Sequence, residues 1–242
     1  MQIDKTKPVL VTGGNGYIAS WIVKYLLADG IDVHATVRDP GNVAKTGHLL
    51  KAAEGTKGKL TLFKADLLKD GAFDAAMQGC ELVIHTASPF VIKGLKDAQK
   101  ELVDPAVMGT KNVLDAANRV ASVKRVVLTA SVVSVYGDSQ DMHTQGLKAF
   151  TEAQWNTTST VSHQPYNYSK VAAEKVGWEI ASKQSRWDFL TINPGLVLGP
   201  SLTTASDSTS LTTIKGLADG TLYTGVPNME IAIVDVRDAA RA

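Results

Sequence analysis

The stretch "YNYSK", residues 166–170, sets a phenol and an amine four positions apart. On a helix, residues i and i+4 share a face, so Tyr166 and Lys170 point the same way. A free tyrosine titrates near pH 10, and a neighbouring ammonium lowers that value by stabilising the phenolate. The pair therefore reads as a proton donor tuned by an amine. Tyr168 lies about 200° round the helix from Tyr166 and is assigned to packing. A hydroxyl is supplied nearby by "TAS" at 129–131, where Ser131 closes a strand and can hold a substrate carbonyl oxygen beside Tyr166. Ser134 competes for that role, and either serine could instead bond backbone at the strand end.

A second chemical signal stands near the N-terminus. In "VTGGNGYIAS" (11–20), Gly13, Gly16 and Ala19 give G-x-x-G-x-x-A, and Gly14, Gly16 and Ala19 give G-x-G-x-x-A. Small residues are needed there for a tight turn at positive φ, for close approach of backbone to a pyrophosphate, and for packing helix on strand. The helix that follows offers free N–H groups and a positive dipole end to phosphates. About twenty residues on, an NAD site would carry an acid for the ribose 2′-hydroxyl. Here the strand ends "ATVRDP", and Arg38 is suited to pair with a 2′-phosphate through two N–H bonds. This favours NADP(H), with Lys45 as a second positive charge. Asp39 is the complication: it could pair with Arg38 or invite NAD.

These residues need a frame. Strand-like runs at 8–13, 32–38, 59–67, 81–88, 124–137 and 187–195 alternate with helical patterns at 17–30, 42–55, 70–80, 97–121 and 164–184. Six such rounds predict an α/β fold: a doubly wound parallel sheet with helices on both faces and right-handed crossovers. Gly30 is a plausible C-cap for the first helix. The Ser/Thr-rich segment 201–213 reads either as a solvated loop or as a loop closing over a ligand. The last twenty residues read as a strand and the beginning of a helix.

The chain has 242 residues, a formal charge of +1 and 44% hydrophobic residues. Its near-neutral balance supplies no basic field for nucleic acid or an acidic membrane. No apolar run approaches the roughly 20 residues of a spanning helix, and no signal peptide is evident. One cysteine, Cys80, excludes an intramolecular disulfide and suits a reducing, cytoplasmic compartment. It has no evident partner or base and is read as inert. The five histidines show no ligand spacing, so no metal is expected. His85, at the end of the fourth strand, is read as a packed or hydrogen-bonded imidazole.

Taken together, "VTGGNGYIASWIV", "ATVRDP", "KADL", "HTASP", "VVLTASVVSVYG", "YNYSK..AAEK" and "INPGLVLGP" resemble an extended short-chain dehydrogenase/reductase. The closer likeness is to the group of dihydroflavonol reductases, cinnamoyl-CoA reductases and yeast-type methylglyoxal/ketone reductases. The resemblance implies roles. Gly13, Asn15, Gly16, Tyr17 and Ile18 would wrap the pyrophosphate, and Arg38 and Lys45 would take the 2′-phosphate. Asp66 and Leu67 would meet the adenine; Thr86, Ala87 and Ser88 would line the ribose and diphosphate. Pro194, Gly195, Leu196 and Val197 would flank the nicotinamide. Ser131, Tyr166 and Lys170 would be the catalytic set, with Tyr166 and Lys170 also touching the cofactor and Lys170 bonding its ribose hydroxyls. Phe90 and Tyr136 are read as substrate-pocket candidates beside Ser131 and Tyr166, with core packing as the alternative.

The expected activity is NADPH-dependent reduction of a small-molecule ketone or aldehyde. A sugar-nucleotide epimerase, a 3β-hydroxysteroid dehydrogenase-like enzyme and a non-catalytic NADP-sensing protein are the other readings. The expected division is a dinucleotide-binding domain at 1–195 and a partial substrate lobe at 196–242, since the resemblance implies further elements beyond "DVRDAARA". Oligomeric state is not legible.

Overall fold

A computed structural model describes residues 2–89, 95–138, 140–204, 208–220 and 231–242. The chain runs β1 (Val9–Thr12), α1 (Tyr17–Ala28), β2 (Val33–Val37), α2 (Val43–Ala53), β3 (Leu60–Lys64), α3 (Asp74–Met77), β4 (Leu82–His85) and α4 (Asp104–Arg119). It continues through β5 (Arg125–Thr129), α5 (Asp141–Thr144), α6 (Pro165–Ala181), β6 (Asp188–Ile192), β7 (Leu196–Leu198), α7 (Thr209–Ala218), β8 (Ile233–Asp235) and α8 (Val236–Ala239). Six strands form one parallel sheet in the order β3-β2-β1-β4-β5-β6, and β7 and β8 form a separate parallel pair.

Two-residue alternation along the strands divides the core between the two sheet faces. In β1, Val9 and Val11 join Val33, Val37, Val23, Leu27 and Leu49 under α1 and α2. Leu10 goes to the opposite face, with Val83, Val126, Phe73, Met77, Leu114 and Phe189 under α3 and α4. Burial on both faces explains why these strands are apolar runs. Helix α1 stops where Gly30, at φ +78, lets Ile31 N–H reach Leu26 O at 2.9 Å, the left-handed C-terminal motif expected of that glycine.

Four boundaries differ from the sequence expectation. The fifth strand ends at Thr129, well short of 137. Beyond it Val132 N–H bonds Pro194 O at 3.0 Å, and the chain turns into a 3₁₀ turn at Val132–Ser134. The long helix opens with a π turn at Gln99–Val103 before α4, whose first turn contains Pro105; a ring without an N–H is tolerated there. Part of the Ser/Thr-rich segment belongs to α7. "INPGLVLGP" supplies the fourth: it contains β7, which pairs with the C-terminal β8.

The described residues after 195 pack on α1. Val197, Val236 and Trp21 pack together on α1, and Trp21 Nε1 donates to Pro200 O at 2.9 Å. Gly195 is obligatory at this crossing, because a Cβ would lie 2.2 Å from Ala232 O. Among the described residues no helix is long and apolar enough to cross a membrane.

Candidate active site

Strand order reverses direction between β1 and β4, which opens a crevice at their carboxyl ends. The two loops there are laced together by Thr12. Its Oγ1 accepts from Thr86 N at 3.2 Å and Ala87 N at 3.1 Å, and lies 2.8 Å from His85 Nδ1. With both N–H groups donating to it, the hydroxyl proton goes to His85 Nδ1, which fixes His85 as the neutral Nε2–H tautomer. Burial first, and then the charge of Lys170, push that imidazole down to about 3. Thr86 Oγ1 in turn donates to Thr12 O. Thr12 was not singled out from sequence; a hydroxyl residue closing a strand before two glycines is the only signal it gives.

The glycine loop follows. Gly13 sits at φ +62, and a Cβ on it would lie 3.0 Å from Ala87 Cα. A Cβ on Gly14 would lie 2.8 Å from Ala35 Cβ. Gly13 N–H bonds Thr36 Oγ1 at 3.2 Å and Gly14 N–H bonds Thr36 O at 2.9 Å. The loop is thus pressed onto β2 and onto the β4 loop, and α1 begins at Gly16 without a capping side chain. A helix N-terminus with uncapped N–H groups behind a glycine turn suits a pyrophosphate. Asn15 is half-buried and Gly16 exposed on that loop. Two neighbours look elsewhere. Tyr17 Oη donates to Gly199 O at 2.6 Å, and Ile18 packs between α1 and the core; only their backbone is available to a phosphate.

Arg38 is exposed immediately after β2. Asp39 Oδ1 accepts from Gly41 N at 3.0 Å. Lys45 lies in the first turn of α2, where Asn42 caps its backbone N–H at 3.3 Å. Asp66 is exposed after β3 and accepts from Leu68 N at 2.9 Å. Leu67 faces α4. Its side chain packs on Gly109, where a Cβ would come within 2.5 Å of it, and its carbonyl accepts from Asn112 Nδ2 at 2.9 Å.

The catalytic candidates converge on the other rim of the crevice. Lys170 Nζ donates to Ser88 Oγ at 3.1 Å and lies 5.7 Å from the centre of the Tyr166 ring. A small cavity of about 20 Å³ joins Ser88, Thr129, Ala130 and Lys170. Ser131 caps the 3₁₀ turn, its Oγ accepting from Val133 N at 3.4 Å, and α6 packs on that turn. Ser134 is buried to 1% exposure, with Oγ unpartnered, and lines a separate hollow of about 400 Å³ with Glu174 and Asn193.

One electrostatic expectation is corrected. Burial pushes the Tyr166 phenol up to about 12 and the Lys170 amine down to about 8. Desolvation disfavours both charged forms and outweighs the pull of an amine whose hydrogen bond goes to Ser88. The stability consequence has a definite sign. Between about pH 8 and pH 10 the unfolded chain holds a proton on Lys170 that the folded chain has released. Stability from this site therefore rises with pH there, by at most about 1.4 kcal/mol per pH unit. Lys170→Met should be more stable than the wild type at pH 7, and its advantage in urea unfolding should narrow between pH 8 and 10.

Other candidates find packing roles. Val197 is buried against Trp21 and Val236. Leu196 is half-buried, with its N–H bonded to Ala232 O at 2.7 Å. Pro194 and Gly195 stay at the sheet edge beside Val132 and Ala232. Tyr136 stacks on Phe150 at 5.0 Å and 17°; Phe90 lies outside the described residues. Cys80 does have a neighbour, His34 Nδ1 at 3.5 Å, yet burial pushes its thiol up to about 12 and leaves it inert. Sequence reasoning also passed over Asn193 and Glu174. Asn193 Nδ2 donates to Glu174 Oε2 at 3.0 Å and to Ser131 O at 3.1 Å, tying α6 to the ends of β5 and β6.

Residues 9–242 match the NAD dependent epimerase/dehydratase family. The chain is 43% identical over 237 residues to a cinnamoyl-CoA reductase of Medicago truncatula, covering 97% of this chain and 70% of that protein. It is 35% identical over 215 residues to a dihydroflavonol 4-reductase of Gerbera hybrida, covering 89% and 58%. Among solved structures, a yeast methylglyoxal/isovaleraldehyde reductase complexed with NADPH superposes with a TM-score of 0.79 at 30% identity, covering 97% of this chain and 72% of the other.

Proposed function

The chain belongs to the NAD dependent epimerase/dehydratase family, and on that premise we propose that it is an NADPH-dependent reductase of a ketone or aldehyde, with Tyr166 as proton donor. The observation that carries the reading is the placement of Lys170. It bonds Ser88 on the β4 loop at 3.1 Å while sharing a helix face with Tyr166. Donor and dinucleotide crevice are thereby held at one rim. The glycine turn, the uncapped start of α1 and the exposed Arg38 form a donor set that fits a 2′-phosphorylated dinucleotide. The cinnamoyl-CoA, dihydroflavonol and methylglyoxal reductases to which the chain is similar favour a carbonyl substrate.

When bound, NADPH supplies a hydride to the carbonyl carbon. The chain supplies the rest. Ser131 Oγ donates a hydrogen bond to the carbonyl oxygen, and Tyr166 gives that oxygen its proton as negative charge builds there. A phenol pushed up to about 12 is protonated throughout the physiological range, the state a donor requires. Lys170, charged below about pH 8, stabilises the phenolate left behind.

The test is a panel of aldehydes and ketones scored by loss of NADPH absorbance alongside the mass of the product. Stoichiometric NADPH loss with a product two mass units heavier is expected, with turnover falling as pH rises through about 8. Conversion of a substrate without net NADPH loss would place the chain with the epimerases instead. NADPH binding with no conversion across the panel would favour a sensor.

A further inference from the structure

The described chain has a single non-glycine residue at positive φ: Gln164, at φ 57 and ψ 58. Left-handed backbone is unfavourable for a glutamine, and the following Pro165 restricts that position further. Such a conformation persists only where its surroundings over-determine it, and such residues cluster at functional sites. This one stands two residues before Tyr166, and its carbonyl accepts the Tyr168 N–H at 3.0 Å to start α6.

The Gln164 side chain shows what holds it there. Oε1 accepts from Ser159 Oγ at 2.7 Å and from Asn167 Nδ2 at 2.8 Å, while Nε2 donates to Asp138 Oδ1 at 3.0 Å. The same carboxylate oxygen lies 2.9 Å from His163 Nε2. Ser159 is itself buried and takes Asn156 Nδ2 at 2.8 Å. Asn156, exposed by only 3%, accepts from Thr158 N and Ser159 N through Oδ1 at 3.1 and 3.0 Å and reaches the turn after Ser131 with its N–H groups. Nδ2 donates to Val133 O at 2.8 Å and the backbone N–H to Ser134 O at 2.8 Å. A buried polar bracket thus runs from the Ser131 turn through Asn156 and Ser159 to Gln164 and the first turn of α6. It links the backbone of the turn that follows Ser131 to the corner that precedes Tyr166 by a route independent of the strands.

We propose that Gln164 is a positioning residue: its strained corner, pinned by Ser159, Asn167 and Asp138, sets where the Tyr166 hydroxyl stands relative to Ser131. The proposal rests on Tyr166 being the donor. A carbonyl oxygen must meet both hydroxyls at hydrogen-bond length, and displacement by about 1 Å can cost about 100-fold in rate.

Glycine separates conformation from pinning, because Gln164→Gly can still adopt the left-handed corner without strain while losing the three side-chain bonds. In Gln164→Gly the thermal midpoint should stay within a few degrees of wild type and the NADPH dissociation constant, read by fluorescence, within about threefold. Turnover should fall about tenfold or more, with faster amide exchange at 166–168 and little change at 171–181. Ser159→Ala, which leaves Gln164 in place, should lose a smaller part of kcat and covers the case in which the glycine variant does not fold. Tyr166→Phe is run beside them. Turnover in Gln164→Gly or Ser159→Ala within twofold of wild type, while Tyr166→Phe is inactive, would overturn the positioning role alone. An active Tyr166→Phe would overturn the donor assignment and the positioning role with it.

Discussion

Tyr166→Phe should lower kcat about 10²- to 10⁴-fold, the usual contribution of a positioned proton donor, and leave the NADPH dissociation constant nearly unchanged. The substitution removes one oxygen and keeps the ring that lies 5.7 Å from Lys170 Nζ. The Lys170–Ser88 bond does not involve the phenol, so the crevice keeps its cation. Charge that builds on the substrate oxygen would then have only Ser131 to meet it. Stopped-flow reduction with saturating NADPH separates this outcome from a folding defect, since a misfolded variant would lose binding and turnover together. Retained turnover would show that the proton comes from elsewhere.

Arg38→Ala should raise the KM for NADPH about 10- to 100-fold, the range expected when charge-assisted hydrogen bonds worth about 1.5–3 kcal/mol are removed. The KM for NADH should change little. Arg38 is the first residue after β2 and is exposed. The acid beside it gives one carboxylate oxygen, Asp39 Oδ1, to the Gly41 N–H of its own loop at 3.0 Å. Steady-state kinetics with both cofactors decide it: parallel losses for NADH and NADPH would remove Arg38 from the 2′-phosphate site.

The sheet was legible because its strands are buried on both faces and read as apolar runs, each followed by a helical pattern. The glycine turn was legible because Gly13 must take φ +62 against Ala87. Tyr166 and Lys170 were legible because helical spacing alone puts them on one face. What escaped depends on contacts distant in sequence. Ser88 lies 82 positions from the lysine it accepts from. Tyr17, Leu67 and Val197 fall within motif stretches, yet their side chains turn to Gly199, Gly109 and Trp21. The Tyr166 phenol was read in the wrong direction because spacing reveals a neighbouring charge and hides burial. Gln164 gave no signal at all, since its backbone is held left-handed by partners rather than by its own residue type.

The account turns on a hydride reaching a carbonyl carbon while Tyr166 protonates the oxygen. Reduction with NADPH deuterated at the transferable C4 position, followed by mass spectrometry and NMR of the product, measures that step directly. Deuterium on the carbinol carbon, one per NADPH oxidised, appearing about 10²- to 10⁴-fold more slowly in Tyr166→Phe than in the wild type, is the expected result. A product that forms without net NADPH oxidation, or label transfer at equal rates by both proteins, would contradict it.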